Sequence, residues 1–174
     1  MEIPKELEDV LNAIEAVGAN AYLIGARALL MHGMLKRTTR DIDLMITVEE
    51  LKTLRETLTK ELRKRGFIVQ WRSWGLLVRS KEGLEIDLNT PMLILDDEFH
   101  RRSRRIYKNL YLPSVEDLIV TKLMSLERKD YSDIKEIFKL SEKIDFEYLC
   151  MRVEQANLKR EFNRIAKRIG VRTC

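Results

Sequence analysis

Residues 22–46, YLIGARALLMHGMLKRTTRDIDLMI, decide how the rest of this chain is interpreted. Asp41 and Asp43 stand two apart in the otherwise apolar run D-I-D-L-M-I. Because residues i and i+2 of a strand point to the same face, a strand here projects both carboxylates side by side. Two anions this close repel each other and need a cation or partial protonation. Mg²⁺, which binds carboxylate and phosphate oxygens, would meet that need.

The same two acids have a simpler interpretation, because a D-x-D pair also occurs at the solvated end of an ordinary strand. Here Leu44, Met45 and Ile46 follow at once, so the acids are built into a core strand. A strand–glycine–helix entry, Y-L-I-G-A-R-A-L-L, precedes them at 22–30. Together these features favour a functional interpretation.

Composition limits the class of protein. The 174 residues are 45% hydrophobic, enough for one α/β domain with a helical appendage. No stretch reaches the length of a transmembrane helix and the N-terminus does not resemble a signal peptide, which predicts a soluble cytoplasmic protein without a membrane partner. Cys150 and Cys174, the two cysteines, suggest neither a disulfide framework nor a zinc site.

The net charge of +4 is unevenly spread. Residues 1–100 carry 14 Lys and Arg against 17 Asp and Glu, whereas residues 101–174 carry 18 against 11. The basic second half could face a polyanion, or it could be a solvated basic surface. The run Arg101-Arg102-Ser103-Arg104-Arg105 has no interleaved aromatic residue, so stacking on bases is unsupported there.

Hydrophobic periodicity predicts an α/β (α+β) fold with a C-terminal helical bundle, and the family resemblance described below implies a mixed sheet flanked by helices. We predict helices over 4–17, 26–33 and 49–65, and strands over 20–24, 41–47, 67–72, 75–80 and 84–90. A short strand pair over 104–112 follows, and helices are predicted over 114–127, 131–140, 146–156 and 158–169. The composition shift near 100–112 divides the chain into an α/β domain at 1–110 and a helical region at 111–174.

The first 90 residues resemble the DNA polymerase β-type nucleotidyltransferase superfamily, most closely its AbiEii-like minimal branch. The matching positions are Gly25-Ala26, His32-Gly33, Arg37, Thr39 and Asp41-Ile42-Asp43. The resemblance implies Mg²⁺-dependent transfer of a nucleoside monophosphate from an NTP. Ala26 departs from the family pattern, which usually has Gly or Ser, so no hydroxyl can contribute to phosphate binding there.

The resemblance also implies a third carboxylate, Asp87, in the strand L-E-I-D-L at 84–88. Alternation places Glu85 and Asp87 on one face, which is also what an ordinary strand with a polar exposed face would show. With Asp41 and Asp43, Asp87 would be catalytic and would hold two Mg²⁺ ions.

Lys122 is the next informative residue, because it falls inside the apolar arc of the helix predicted over 114–127. A lysine there must snorkel or meet an anion. The resemblance implies that Lys122 contacts nucleotide phosphates and that Asp130 supports the site, with Asp133 and Arg128 as weaker candidates. The stretch R-K-D-Y-S-D could equally be a helix–helix turn with an N-cap.

Phosphate binding is also expected of the glycine entry and the loop after it. The backbone N–H groups at Gly25 and Ala26 open a helix and can bind an anion. Arg27 lies in the first turn of that helix, and Arg37 matches the family pattern R-x-T-x-D. A solvated arginine is the alternative for each.

The resemblance does not select the acceptor hydroxyl, which could belong to an RNA end, a protein or a small molecule. Some members of the superfamily are toxins paired with an antitoxin, and that role stays open too. The alternative function is a catalytically weak module of the same fold that binds nucleic acid or a protein partner through its basic C-terminal half.

Overall fold

The computed structural model describes residues 3–46, 48–89, 95–125, 127–141 and 144–174. It contains β1 (Ala21–Ile24), β2 (Ile42–Met45), β3 (Ile68–Arg72), β4 (Gly75–Arg79), β5 (Glu85–Asn89), β6 (Arg104–Tyr107) and β7 (Leu110–Leu112). The helices are α1 (Lys5–Ala16), α2 (Gly25–Met31), α3 (Val48–Lys64), α4 (Asp97–Arg102), α5 (Val115–Ser125), α6 (Arg128–Leu140), α7 (Phe146–Gln155) and α8 (Lys159–Ile169).

The chain forms two compact units that are each discontinuous in sequence. The first comprises Met1–Leu23, Arg40–Pro91 and Ser103–Leu112. The second comprises Ile24–Thr39, Met92–Arg102 and Pro113–Cys174. The sequence-based division at residue 110 stays a prediction, and the bounds of the compact units differ from it.

The first unit is built on a seven-stranded mixed sheet with the order β3-β4-β5-β2-β1-β7-β6. The pairs β2–β5 and β1–β7 are parallel, whereas β3–β4, β4–β5 and β6–β7 are antiparallel. The predicted fold class is confirmed, including the hairpin of β4 and β5 and the short pair of β6 and β7. This order places β2 and β5 side by side in the middle of the sheet, with β3 and β6 at its edges.

Apolar spacing explains the helices of the first unit. In α1 the buried Leu7, Val10, Leu11 and Ile14 recur at helical intervals, and α1 packs against α3. The buried Asn109 amide, in the turn between β6 and β7, donates hydrogen bonds to the carbonyls of Leu11 (3.1 Å) and Ala19 (3.2 Å). These bonds join the turn to the middle of α1 and to the segment between α1 and β1.

The second unit is helical and contains α2 and α4 to α8. Its buried apolar side chains come mainly from α5, α6, α7 and α8. Cys150 of α7 and Cys174 form a disulfide bond, which the sequence interpretation did not foresee. The expectation against a disulfide framework rested on having only two cysteines, but 24 residues of helix and turn return the second cysteine to the first. Across the described ranges, no helix is both long and apolar enough to cross a membrane.

Gly75 opens β4 at a point of close backbone approach. Its φ is +151°, and a Cβ added there would lie 2.1 Å from the backbone carbonyl oxygen of Leu88 on β5. Gly83, in the turn between β4 and β5, has φ +91° but nothing within 4 Å of an added Cβ. Glycine is therefore required at 75 by space as well as by conformation.

We expect Gly75→Ala to destabilise the protein by about 3 kcal/mol or more, because the backbone of β5 must move to admit the methyl group. Gly83→Ala should cost only the backbone strain, about 1–2 kcal/mol. Thermal or urea unfolding of both variants measures the difference. Equal losses would show that the approach of β4 to β5 does not constrain residue 75.

Candidate active site

The candidate carboxylates come from two neighbouring parallel strands of the first unit. Asp43 of β2 is the direct register partner of Asp87 of β5. Because paired residues of adjacent parallel strands project to the same face, these two carboxylates share one face of the sheet. Asp41 immediately precedes β2, two residues before Asp43. Asp43 and Asp87 are half-buried, and Asp41 is exposed.

The electrostatic environment of Asp87 disfavours its charged form. Burial is the main cause that raises the pKa of Asp87, and the negative charges of Glu85 and Asp41 raise it further. Arg79 opposes this shift, but its guanidinium already pairs with Glu85, with 2.5 Å between Nε and Oε1. Asp87 is therefore a carboxylate that a nearby cation would stabilise in its ionised form.

A surface depression of about 450 Å³ lies beside Asp41. It is lined by Glu6, Arg40, Asp41, Glu82, Gly83, Leu84 and Glu85. Within the residues that the structure describes, no group of three or more His, Cys, Asp or Glu side chains is arranged to hold a metal ion. The carboxylates nevertheless fit a hard divalent cation by donor chemistry, because they supply only oxygen ligands. Their catalytic and metal-binding roles stay predictions.

The glycine entry begins α2 in the second unit. Gly25 has φ +68°, a conformation that side chains with a Cβ rarely adopt, and this explains the glycine at that position. Ala26 is buried and Arg27 is half-buried. Phosphate binding by this entry stays a prediction. At the end of α2, the ring of His32 lies 2.7 Å from the carbonyl oxygen of Pro113, through Nε2.

Lys122 does not snorkel to solvent, because its side chain is only 7% exposed and lies among acids of α6. Its ammonium is 2.5 Å from Oδ1 of Asp130 and 2.8 Å from Oδ2 of Asp133. Asp130 also accepts hydrogen bonds from the Ser125 hydroxyl (2.6 Å) and from the backbone N–H of Glu127 at the start of α6 (3.0 Å). Asp130 thus combines the helix-capping role with the charge-pairing role.

Arg37 joins the same cluster. It donates two hydrogen bonds to Asp133, from Nε to Oδ1 at 2.9 Å and from Nη2 to Oδ2 at 2.7 Å. Burial would raise the pKa of Asp133, but the hydrogen bonds from Arg37 and Lys122 outweigh it and lower that pKa. We call Arg37, Lys122, Asp130 and Asp133 the α5–α6 ion cluster. It holds two cations and two carboxylates, so it is formally neutral.

The structure thus brings together four residues that the sequence singled out separately. Asp133 was only a weaker candidate, although its spacing of three from Asp130 places both acids on one face of α6. The phosphate contacts expected of Arg37 and Lys122 stay predictions. An ammonium has three donors, and the two carboxylates engage two of them.

The same unit contains a second buried charge cluster, which was not predicted from the sequence. Arg152 is fully buried and lies 2.9 Å from Asp117 through Nε and 2.6 Å from Asp96 through Nη1. The Tyr148 hydroxyl donates to Asp117 at 2.9 Å. Burial, the charge of Asp117 and this hydrogen bond raise the pKa of Tyr148. Periodicity could not reveal this cluster, because its members lie on two separate helices and a loop.

The arginine run at 101–105 is divided by the fold. Arg101 and Arg102 belong to α4 in the second unit, where both pair with Glu98 and Arg102 also pairs with Asp145. Arg104 and Arg105 begin β6 in the first unit, and both are exposed. Polyanion binding by the basic C-terminal half stays a prediction.

The fold is shared with antibiotic-modifying enzymes of known structure. The crystal structure of ANT(2")-Ia in complex with adenylyl-2"-tobramycin is 15% identical, covering 91% of this chain and 97% of that one with a TM-score of 0.58. The lincomycin-bound lincosamide antibiotic adenylyltransferase LnuA is 20% identical, covering 80% and 98% with a TM-score of 0.52. JHP933 from Helicobacter pylori is 14% identical, covering 94% and 75% with a TM-score of 0.50. The comparison with curated proteins found no match.

The chain belongs to the family described as nucleotidyltransferase of unknown function (DUF6036), whose sequence profile matches residues 2–168. It is a nucleotidyltransferase, and the reaction class is transfer of a nucleoside monophosphate. The predicted superfamily is confirmed. The AbiEii-like branch is not supported by these comparisons, because the matching family is described only as a nucleotidyltransferase of unknown function.

The α5–α6 ion cluster can be tested through Lys122→Met. Removing the ammonium leaves two buried carboxylates with one cation, and we expect a loss of about 3–5 kcal/mol in the free energy of unfolding. Lys129→Met is the control, since Lys129 and Glu127 are each 60% exposed at 3.0 Å and such pairs contribute about 1 kcal/mol or less. Chemical unfolding measures both, and a Lys122→Met loss as small as the control would contradict the pairing.

Asp87→Asn tests the free-energy cost of ionising Asp87 among the neighbouring carboxylates, without an activity assay. Because the folded pKa of Asp87 is raised, its ionised form costs stability above that pKa, and the cost disappears as the pH falls toward about 4. In metal-free buffer the variant should therefore melt higher than wild type at pH 8, with a smaller gain at pH 5. Glu82→Gln, at an exposed turn position, makes the same charge change and should give no such pH-dependent gain.

Proposed function

We propose that this nucleotidyltransferase works with Mg²⁺ held by Asp41, Asp43 and Asp87, and that its acceptor is a hydroxyl group. The observation that carries the proposal is the register pairing of Asp43 with Asp87 on adjacent parallel strands. The raised pKa of Asp87, due in part to Asp41, supports it, because crowded carboxylates are what a divalent cation stabilises. When bound, Mg²⁺ would neutralise phosphate charge and orient the triphosphate.

The reaction exchanges one phosphorus–oxygen bond for another. The acceptor oxygen bonds to the α-phosphorus of the NTP, the bond from that phosphorus to the pyrophosphate oxygen breaks, and pyrophosphate leaves. The hydroxyl proton must go to a base, and we assign that role to Asp87. Asp87 is suited to that role by its place opposite Asp43, on the same face of the sheet.

A separate proposal concerns the second unit, where Lys122 and Arg37 would contact nucleotide phosphates. Both cations are held in place by ion pairs with the acids of α6. Phosphoryl-type transfer depends on positioning and charge neutralisation more than on covalent help from the protein. The chain therefore needs no Cys–His or Ser–His nucleophile.

The acceptor class is the open part of the function. The two adenylyltransferases with a similar fold carry antibiotics in their structures, which favours a small hydroxylated molecule. An RNA end or a protein hydroxyl offers the same chemistry. A toxin role with a cognate antitoxin stays a prediction.

Asp43→Asn tests the proposed catalysis. The substitution preserves size but removes one anion from the metal site, so nucleotide transfer should fall by a factor on the order of 10³ or more while the fold persists. Asp97→Asn, at an exposed position of α4, is the control and should keep full activity.

The assay offers each α-labelled NTP with Mg²⁺ to three acceptor sets: hydroxylated antibiotics, total RNA, and cell protein. Label on one set identifies the acceptor class. Chelation of Mg²⁺ should abolish transfer in the wild type. Undiminished transfer by Asp43→Asn, or by the chelated enzyme, would contradict the proposed site.

A further inference from the structure

One surface of the first unit combines positive charge with aromatic rings and has no place in the proposed catalysis. It is a depression of about 590 Å³ between the C-terminal half of α3 and strand β3. Its lining comprises Arg55, Glu56, Thr59, Lys60, Arg63, Lys64 and Trp71. We call it the α3–β3 surface.

The charge of this surface is strongly biased. Residues 54–74 carry six Lys and Arg against two glutamates. Arg55, Lys60, Arg63 and Lys64 are all exposed. The Glu61 carboxylate pairs with Lys64 (2.9 Å) and Arg65 (2.6 Å), which leaves a clear excess of cations along the helix. Residues 55 and 63 are separated by about 12 Å along α3, so the cations form a line rather than a point.

The aromatic part of the surface is held in a fixed orientation. The indole N–H of Trp71 donates to the Thr59 hydroxyl at 3.0 Å, and that hydroxyl donates to the carbonyl oxygen of Arg55 at 2.7 Å. The Arg55 guanidinium lies 4.6 Å from the centroid of the Trp71 ring. Trp74, in the turn after β3, is 41% exposed. These are the two tryptophans of the chain.

Cations in a line beside planar groups are suited to one kind of polyanion. Phosphates follow the cations, while bases stack on aromatic rings and on guanidinium planes. An acidic protein segment would use the charges but not the rings. We propose that the α3–β3 surface binds single-stranded nucleic acid, with Lys60 and Arg63 on phosphates and with bases stacked on the Arg55–Trp71 pair.

The same sheet provides a matched control surface. β3 lies at one edge of the sheet and β6 at the other. Arg104 and Arg105 of β6 are exposed cations without a neighbouring tryptophan. Binding at the α3–β3 surface does not require nucleotide transfer, so the two activities can be tested separately.

The test titrates the full chain with a 15-nucleotide oligouridylate and follows tryptophan fluorescence across a salt series. Stacking should quench the fluorescence. The slope of log affinity against log salt should be about −1.4, since Lys60 and Arg63 each neutralise one phosphate and each contributes about −0.7. Lys60→Glu with Arg63→Glu should weaken binding at least about tenfold and make the slope shallower. Trp71→Ala should weaken it about fivefold or more through lost stacking.

The control is Arg104→Glu with Arg105→Glu, which changes the net charge equally and should leave the affinity within about twofold. Circular dichroism confirms that each variant is folded. Absence of quenching, or equal weakening by both double variants, would overturn the proposal. So would polyglutamate binding as tightly as the oligonucleotide with no effect of Trp71→Ala, because that result would assign the surface to an acidic protein.

Discussion

The repulsion between carboxylates on β2 and β5 is the constraint around which the first unit is arranged. Parallel pairing in register puts Asp43 opposite Asp87, and Asp41 lies two residues before Asp43. Leu44 and Leu88, which are fully buried, fix that register, because a slip of one residue would turn these apolar side chains outward. The core thus holds the acids in place despite their mutual repulsion, and a cation is the natural compensation.

In the second unit, the buried cations pair with carboxylates of the same unit. Arg152 and Lys122 are both sequestered, and each meets two carboxylates. Such pairs are weak evidence for stability, but removing one partner is costly because the remaining charge stays buried. The clusters therefore specify how α4, α5, α6 and α7 meet. In the α5–α6 ion cluster, the ion pairs themselves hold the two cations in place.

The function class and the acceptor are decided by different parts of the molecule. Nucleotidyltransferase structures with 14–20% identity share this fold, so the fold alone does not choose a substrate. The carboxylates supply chemistry common to any hydroxyl acceptor. We infer that what the enzyme binds besides its nucleotide depends on surfaces outside the D-I-D motif, such as the α3–β3 surface.

The sequence by itself determined the strands and helices and the identity of the candidate carboxylates, because periodicity and the D-I-D and E-I-D-L patterns are local. It also indicated that Lys122 falls on an apolar face. Only the tertiary structure showed that Lys122 pairs with Asp130 and Asp133. It also brought Arg37 to Asp133, and no spacing rule connects these two residues because they are 96 residues apart. The Asp117–Arg152 pair, the Cys150–Cys174 bond and the grouping of cations around Trp71 likewise depend on chain folding. Such contacts join positions that are distant in sequence, and packing alone fixes which of the many available partners come within reach.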